Sequence, residues 1–274
     1  MQAKRVGVLG ADLIGAGMAE VAARAASEGI LVDVDANANA GAKARGRIYA
    51  SVRKSAEKGQ FDSTAAAGIV GRIRNGANAD ALAVADLVIE AAFENLAVKK
   101  EAFKKLDAVA LPDAVLASNT VAAPVRAISA VTKRPDKVMG LHFFYPAPRM
   151  RLVEVVRGLA TTDDPDQRAR SFVEAIGKTG KHAPASTGFI FSRLLPPMLC
   201  EAVICAMEGA KPKDADAGKK LGCNFPMRPL GFAGLRRHRR RLGRHRRALR
   251  ESVRFEISSL PPVRKDVRGR LAGP

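Results

Sequence analysis

A short β-branched run that ends in glycine and passes within a few residues into a long helical pattern restricts this chain more than any other feature. Arg5–Gly10 reads RVGVLG, and Gly10-Ala11-Asp12-Leu13-Ile14-Gly15 leads into an Ala-rich stretch with helical spacing from Ile14 to about Glu28. A second apolar run, Ile30–Val34, follows and carries Asp33. Strand, glycine turn, helix and second strand, with a carboxylate about twenty residues beyond the turn, form the unit that seats a dinucleotide. Helix N-terminal N–H groups and the helix dipole face the pyrophosphate, while the carboxylate accepts from the ribose hydroxyls. Gly10, Ala11, Asp12, Leu13, Ile14 and Gly15 are thus the candidate pyrophosphate turn. Asp33 is the candidate ribose ligand and is expected to favour NAD over NADP, because a carboxylate repels a 2′-phosphate. A glycine turn also joins strand to helix in folds that bind no nucleotide. Moreover, Asp12 stands where a middle glycine would let backbone approach the pyrophosphate, so its bulk and charge are expected to weaken cofactor binding.

The alternation continues. Ala85–Ala92, Ala114–Ser118, Lys137–Phe144 and Leu152–Val156 read as further strands, with helical stretches between most of them. This pattern predicts an α/β fold, a Rossmann-type doubly wound and largely parallel sheet, over residues 1–184. From 185 to 274 the expectation is a shortened all-α domain. Phe191, Leu194, Leu195, Met198, Leu199, Ala202 and Ala206 trace an apolar helical stripe, and the adjacent Pro196 and Pro197 predict a kink in it. A hydrophobic content of 47% is ample for a buried core. The three cysteines, Cys200, Cys205 and Cys223, lack metal-ligand spacing. Neither a disulfide framework nor a metal site is expected, and a reducing, cytoplasmic setting fits best. No signal-peptide or membrane-spanning pattern is read.

A formal charge of +19 points to a polyanionic partner only if it is spread over the chain, and it is not. Residues 228–274 hold 15 Arg or Lys against 3 Asp or Glu, and so carry +12 of the total. The run LRRHRRRLGRHRRALR at 235–250 admits two readings. One is a basic arm for nucleic acid or another polyanion, although it has no interleaved aromatics. The other is out-of-frame translation of a GC-rich gene, in which shifted codons commonly read as arginine.

Hydride transfer from a secondary alcohol needs a base for the hydroxyl proton, and histidine suits that task near neutral pH. Of four histidines, His238 and His245 lie in the Arg-rich tail and His182 in a polar connecting stretch. His142 remains, at the end of the Lys137–Phe144 run, where open α/β sheets bind ligands. Glu154 on the next strand can hold the far ring nitrogen and fix the tautomer. A lone strand histidine is more often structural, so the partner carboxylate is what makes the pair a catalytic candidate.

Several separated segments carry a resemblance. ADLVIEAAFENLAVKKEAFKKLD (85–107), AVLASNT (114–120), GLHFFYPAPRMRLVEVVRG (140–158) and KKLGCNFPM (219–227) resemble, in order and register, the 3-hydroxyacyl-CoA dehydrogenase family in its short-chain form. The resemblance implies NAD as cofactor and an acyl-CoA substrate. The implied reaction is oxidation of 3-hydroxyacyl-CoA to 3-ketoacyl-CoA, or the reverse, in fatty-acid or short-chain acyl metabolism. It places the catalytic pair at His142 and Glu154, sets Glu94 and Lys99 against the nicotinamide half, and puts Asn119 beside the cofactor. It also gives Ser51 and Lys58 to coenzyme A. By helical spacing Ser51, Lys54 and Lys58 share one face, which reads equally as a solvated basic surface. A homodimer is implied too, but Arg228-Pro229-Leu230 and the basic run replace the expected apolar helices and put that pairing in question.

Departures from the family pattern fall at polar positions. Val121 replaces a substrate-facing serine, Tyr145 an asparagine, and Ser192 another asparagine. Donors to a reacting oxygen are worth about 3–4 kcal/mol each. The expectation is therefore an impaired dehydrogenase, with a weak or inactive relative whose tail binds polyanions as the alternative.

Overall fold

Among the described residues, eight strands make the frame. In chain order they are β1 Arg5–Leu9, β2 Glu28–Val32, β3 Ile73–Gly76, β4 Leu87–Glu90, β5 Val115–Ser118, β6 Val138–Phe143, β7 Leu152–Arg157 and β8 Thr179–Ala183. They lie in the order β3-β2-β1-β4-β5-β6-β7-β8. Every neighbouring pair is parallel except β6 and β7, which are antiparallel. The computed structural model describes residues 3–34, 38–225 and 228–232. Two compact units divide the chain, Met1–Phe189 and Ile190–Pro274.

Among the described residues, six helices belong to the first unit: α1 Leu13–Arg24, α2 Ala38–Ala56, α3 Ser63–Gly71, α4 Leu96–Val109, α5 Val125–Ser129 and α6 Asp163–Ala175. They cover both faces of the sheet. One core joins Val6, Val8, Leu87, Ile89, Leu141 and Val155 to α1, α2, α3 and α6. The other joins Leu9, Val88, Leu116, Val138 and Val156 to α4 and α5. Neighbouring strand residues alternate between these cores, as the two-residue period of a strand requires. A doubly wound, largely parallel sheet is therefore the observed architecture.

The boundaries differ from the sequence reading in ways that matter for the site. Helix α1 ends at Arg24 rather than near Glu28. Ala26 adopts a left-handed φ of 64°, and the Glu28 N–H is taken by the Lys4 carbonyl, so the chain turns into β2 earlier. Strand β2 accordingly ends at Val32, which sets Asp33 just past its carboxyl end. Strands β3 and β8, the two edges of the sheet, were not expected at all. Their sequences, IRNG and TGKHA, are largely polar, as suits edge strands.

In the second unit, α7 spans Phe191–Met207, α8 spans Pro212–Gly222 and α9 spans Pro229–Phe232. Helix α7 continues through both Pro196 and Pro197, and none of its residues is buried. The Asp216 carboxylate accepts the Leu230 N–H at 2.9 Å and ties α8 to α9. The Arg-rich run 235–250, with His238 and His245, lies outside the described residues. Among those described, no helix is long and apolar enough to cross a membrane, and no group of His, Cys, Asp or Glu is placed to hold a metal ion. Cys200, Cys205 and Cys223, all among the described residues, form no disulfide.

Candidate active site

After β3 the chain crosses to the far side of β1, so the strand order reverses between β1 and β4. Ligands of open α/β sheets bind at such a reversal, beyond the carboxyl ends of the strands. The glycine turn sits there. A side chain on Gly10, whose φ is 126°, would place its Cβ 2.4 Å from the Ala91 carbonyl oxygen beyond β4. One on Gly15 would place Cβ 1.8 Å from the Gly10 carbonyl oxygen. Both glycines are thus required by the fold itself. Asp12 between them is not strained: its φ of −80° and ψ of −163° are ordinary extended values. It caps α1, and its Oδ1 accepts the N–H groups of Ile14 at 3.0 Å and Gly15 at 2.8 Å. Leu13, the first residue of α1, is exposed. Arg47 of α2 brings its guanidinium to 3.4 Å from the Ala11 carbonyl oxygen.

Asp33 lines an open cavity of about 640 Å³ together with Leu9, Val34, Asn78, Ala97 and Ala102. Asp80, Glu101 and Lys105 line it as well, and a largely apolar hollow with a few polar groups in its wall has the makeup of a nucleoside site. The residues present therefore fit a dinucleotide, with Asp12 as the one group at odds with it.

On the α4 and α5 face, the strand ends carry polar residues where apolar ones stand further down. Glu90 pairs in register with Ser118, and Ser118 with Gly140. His142 is directly opposite Glu154. The His142 Nδ1 lies 2.7 Å from Glu154 Oε2, and both side chains are buried. A carboxylate only accepts, so the pair fixes the ring proton on Nδ1 and leaves Nε2 as the acceptor. Phe144 packs on the imidazole with ring centroids 4.4 Å apart, and Phe189 stands at 5.9 Å. Asn119 joins this strand end to β5: its Oδ1 accepts the Phe143 N–H at 2.7 Å.

Beside the pair lies a buried ionic cluster. Lys99 of α4 is wholly enclosed, and its Nζ donates to Glu90 Oε1 at 3.0 Å and forms an ion pair with Glu94 Oε2 at 3.2 Å. Ser118 and the Ala92 N–H also donate to Glu90, each at 2.6 Å. Glu94 collects the Thr120 hydroxyl and the N–H groups of Val121, Ala122 and Ala123 on Oε1. Burial works to raise the Glu94 carboxyl, but the bond from Thr120, the Ala122 N–H, the Lys99 cation and the Ala123 N–H outweigh it and hold its pKa below the ordinary value. Lys99, which the resemblance sets against a nicotinamide, is enclosed between Glu90 and Glu94, and the partly exposed Glu94 is the member of the ion-paired trio that meets solvent.

Sequence reasoning missed Glu90, Ser118 and Thr120. The signal was present for Glu90, a lone carboxylate inside the buried run LVIE. Val121 is half-buried and Tyr145 exposed, so neither belongs to the hydrophobic core. Ser192 lies in the first turn of α7, in the second unit.

The coenzyme-facing candidates divide. Ser51 donates to the buried Glu20 at 3.1 Å and accepts from Arg24 at 2.9 Å. Its hydroxyl thereby joins α2 to α1. Burial pushes the Glu20 carboxyl up, against the pull of Arg24 and Ser51. Lys54 and Lys58 are exposed, and Lys58 stands in the turn after α2 rather than on it. The three residues therefore do not make one exposed row.

Comparison with known proteins adds an independent line. The 3-hydroxyacyl-CoA dehydrogenase NAD binding domain matches residues 5–183, and the C-terminal domain of the same family matches residues 188–243. A probable 3-hydroxybutyryl-CoA dehydrogenase of Bacillus subtilis (strain 168) is 41% identical over 234 residues, which cover 85% of this chain and 81% of that protein. The human mitochondrial hydroxyacyl-coenzyme A dehydrogenase is 39% identical over 243 residues, covering 85% and 76%. Among solved structures, the (S)-3-hydroxybutyryl-CoA dehydrogenase of Ralstonia eutropha superposes with a TM-score of 0.83 at 32% identity, covering 94% of this chain and 89% of that one.

Proposed function

The chain belongs to the 3-hydroxyacyl-CoA dehydrogenase family, and from that membership we propose how its own residues carry out the family reaction. The reaction is the NAD-dependent oxidation of a 3-hydroxyacyl-CoA to the 3-ketoacyl-CoA, or its reverse. The chemistry that NAD would supply when bound is acceptance of the hydride from C3 of the 3-hydroxyacyl substrate. Gly10, Gly15 and the N-terminus of α1 hold its pyrophosphate, and Asp33 its ribose hydroxyls. His142 accepts the 3-hydroxyl proton on Nε2. Glu154 holds the imidazole in the tautomer that makes this possible and stabilises the imidazolium that results. Asn119 fixes the strand end that carries His142. Glu94 orders the 121–123 loop beside the cofactor, with Glu90 and Lys99 holding it from behind.

The observation that carries this reading is the 2.7 Å contact between His142 and Glu154, where β6 ends and β7 begins. Its setting in the cell is the cytoplasm. Turnover is slow, because the Val121 side chain has no donor to replace the hydroxyl of the serine that the family carries there, and a missing donor of that kind costs roughly two to three orders of magnitude in rate. The test is acetoacetyl-CoA-dependent oxidation of NADH by the purified chain. Saturable oxidation that is lost on His142→Ala is the expected result; none at high enzyme concentration would overturn the reading.

A further inference from the structure

We propose that Asp12 is an intramolecular competitor for the cofactor: its carboxylate occupies the pyrophosphate seat of the free protein and must be displaced before a dinucleotide can settle there. The proposal rests on the dinucleotide reading above and deepens it. At a helix N-terminus the first N–H groups lack partners within the helix and attract an anion. In this chain two of them, those of Ile14 and Gly15, are taken by Asp12 Oδ1 at 3.0 and 2.8 Å. The anion that α1 attracts is therefore already supplied by the residue before it.

The geometry explains how this is tolerated. Gly10 and Gly15 admit no side chain, because a Cβ on either collides with backbone. The middle position carries no such constraint, since Asp12 has extended dihedrals that any residue adopts. Nothing in the fold requires a glycine there. An aspartate at that position gains the helix a cap, and the protein without cofactor is stabilised by what the cofactor must remove. Asp12 is exposed, so its side chain can swing into solvent without disturbing the core. Arg47, 3.4 Å from the Ala11 carbonyl oxygen, stands near enough to the turn to offset part of the added negative charge. Losing a cap of this kind costs between about twofold and thirtyfold in an equilibrium constant, and the dissociation constant for the dinucleotide is weakened by that factor.

Two mechanisms give weak binding, occupancy of the seat and simple charge repulsion, and three substitutions separate them. Asp12→Gly and Asp12→Ala remove both the acceptor and the charge. Asp12→Asn removes the charge but keeps an oxygen that can cap the helix. Calorimetric titration with NADH is expected to show roughly tenfold tighter binding for the Gly and Ala variants, with Asn clearly between them and the wild type. Without cofactor, Asp12→Ala is expected to melt about 2–4 °C below the wild type, with the gap closing or reversing at saturating NADH. Wild-type binding that Asp12→Gly and Asp12→Ala leave unchanged would overturn the proposal while leaving the dinucleotide reading intact. So would an Asn variant as tight as Gly, which would mean that charge alone acts. A melting deficit in Asp12→Ala that is equal with and without NADH would overturn it as well. No saturable binding by any of the four proteins would overturn the dinucleotide reading, and the proposal with it.

Discussion

His142 and Glu154 face each other across an antiparallel strand pair, with 2.7 Å between the ring nitrogen and the carboxylate oxygen. In a sheet that is otherwise parallel, this one reversal of direction sets a histidine near the carboxyl end of β6 against a glutamate near the start of β7. Backbone register alone therefore aims both side chains at the same face. Substituting His142→Ala should lower the dehydrogenase rate by at least a hundredfold, the usual contribution of a general base being about 10²–10⁴. Glu154→Gln should cost a similar factor in kcat with little change in KM, because an amide can present a donor to Nδ1 and invert the tautomer. Steady-state kinetics with acetoacetyl-CoA and NADH check both; a Glu154→Gln enzyme with an intact kcat would remove Glu154 from this role.

Val121 provides the gain-of-function test. It is half-buried, and its N–H and carbonyl are held by Glu94 and Gly188, so a serine there keeps the same backbone. Val121→Ser is expected to raise kcat by about tenfold or more by supplying a donor to the reacting oxygen. If that hydroxyl instead lacks a partner, stability falls by about 1–3 kcal/mol. Rates measured alongside melting temperatures distinguish the two, and a variant both less stable and no faster would sink the proposed site.

Glu94 gives a prediction in pH. Its folded pKa lies below the ordinary carboxyl value of 4.5, so ionised Glu94 stabilises the fold above that pH, and the contribution disappears as pH falls through the lowered value. Glu94→Gln should therefore be less stable than the wild type at pH 7, by an amount that shrinks as the solution is acidified below about 4.5. Urea unfolding of both proteins at several pH values measures this. A deficit that stays constant down to pH 3 would show that the amide, not the lost charge, is responsible.

Asp33 should decide between the two nicotinamide dinucleotides. Standing just past β2 in the cavity wall, it accepts ribose hydroxyls and repels a 2′-phosphate. The wild type is expected to bind NADH at least tenfold more tightly than NADPH, and Asp33→Ala to narrow that ratio. Tighter binding of NADPH by the wild type in a direct titration would contradict the assignment.

Much of this was legible before any coordinates. The β-branched run RVGVL, the glycines at 10 and 15, and the carboxylate at 33 announce a βαβ unit because each obeys a local rule: strand propensity, a turn that excludes Cβ, a strand end. His142 and Glu154 could be paired because they sit in adjacent apolar runs short enough to be neighbouring strands. Elements whose character comes from their neighbours escaped. The edge strands β3 and β8 are strands by virtue of pairing with β2 and β7, and nothing in IRNG or TGKHA requires it.

By itself the sequence determined the fold class, the position of the glycine turn and the identity of the histidine and glutamate, since alternation and chain stiffness are properties of residues close together in the chain. Only the tertiary structure decided how the charged groups are used. Glu94 meets the 120–123 loop across 26 residues and more, Ser51 meets Glu20 across 31, and Lys99 disappears between two carboxylates. Such contacts depend on register and burial, which are fixed when distant segments pack. Asp12 shows the limit most clearly: in the sequence it is a carboxylate in the way of a phosphate, and in the fold it is the cap of the helix that the phosphate would approach.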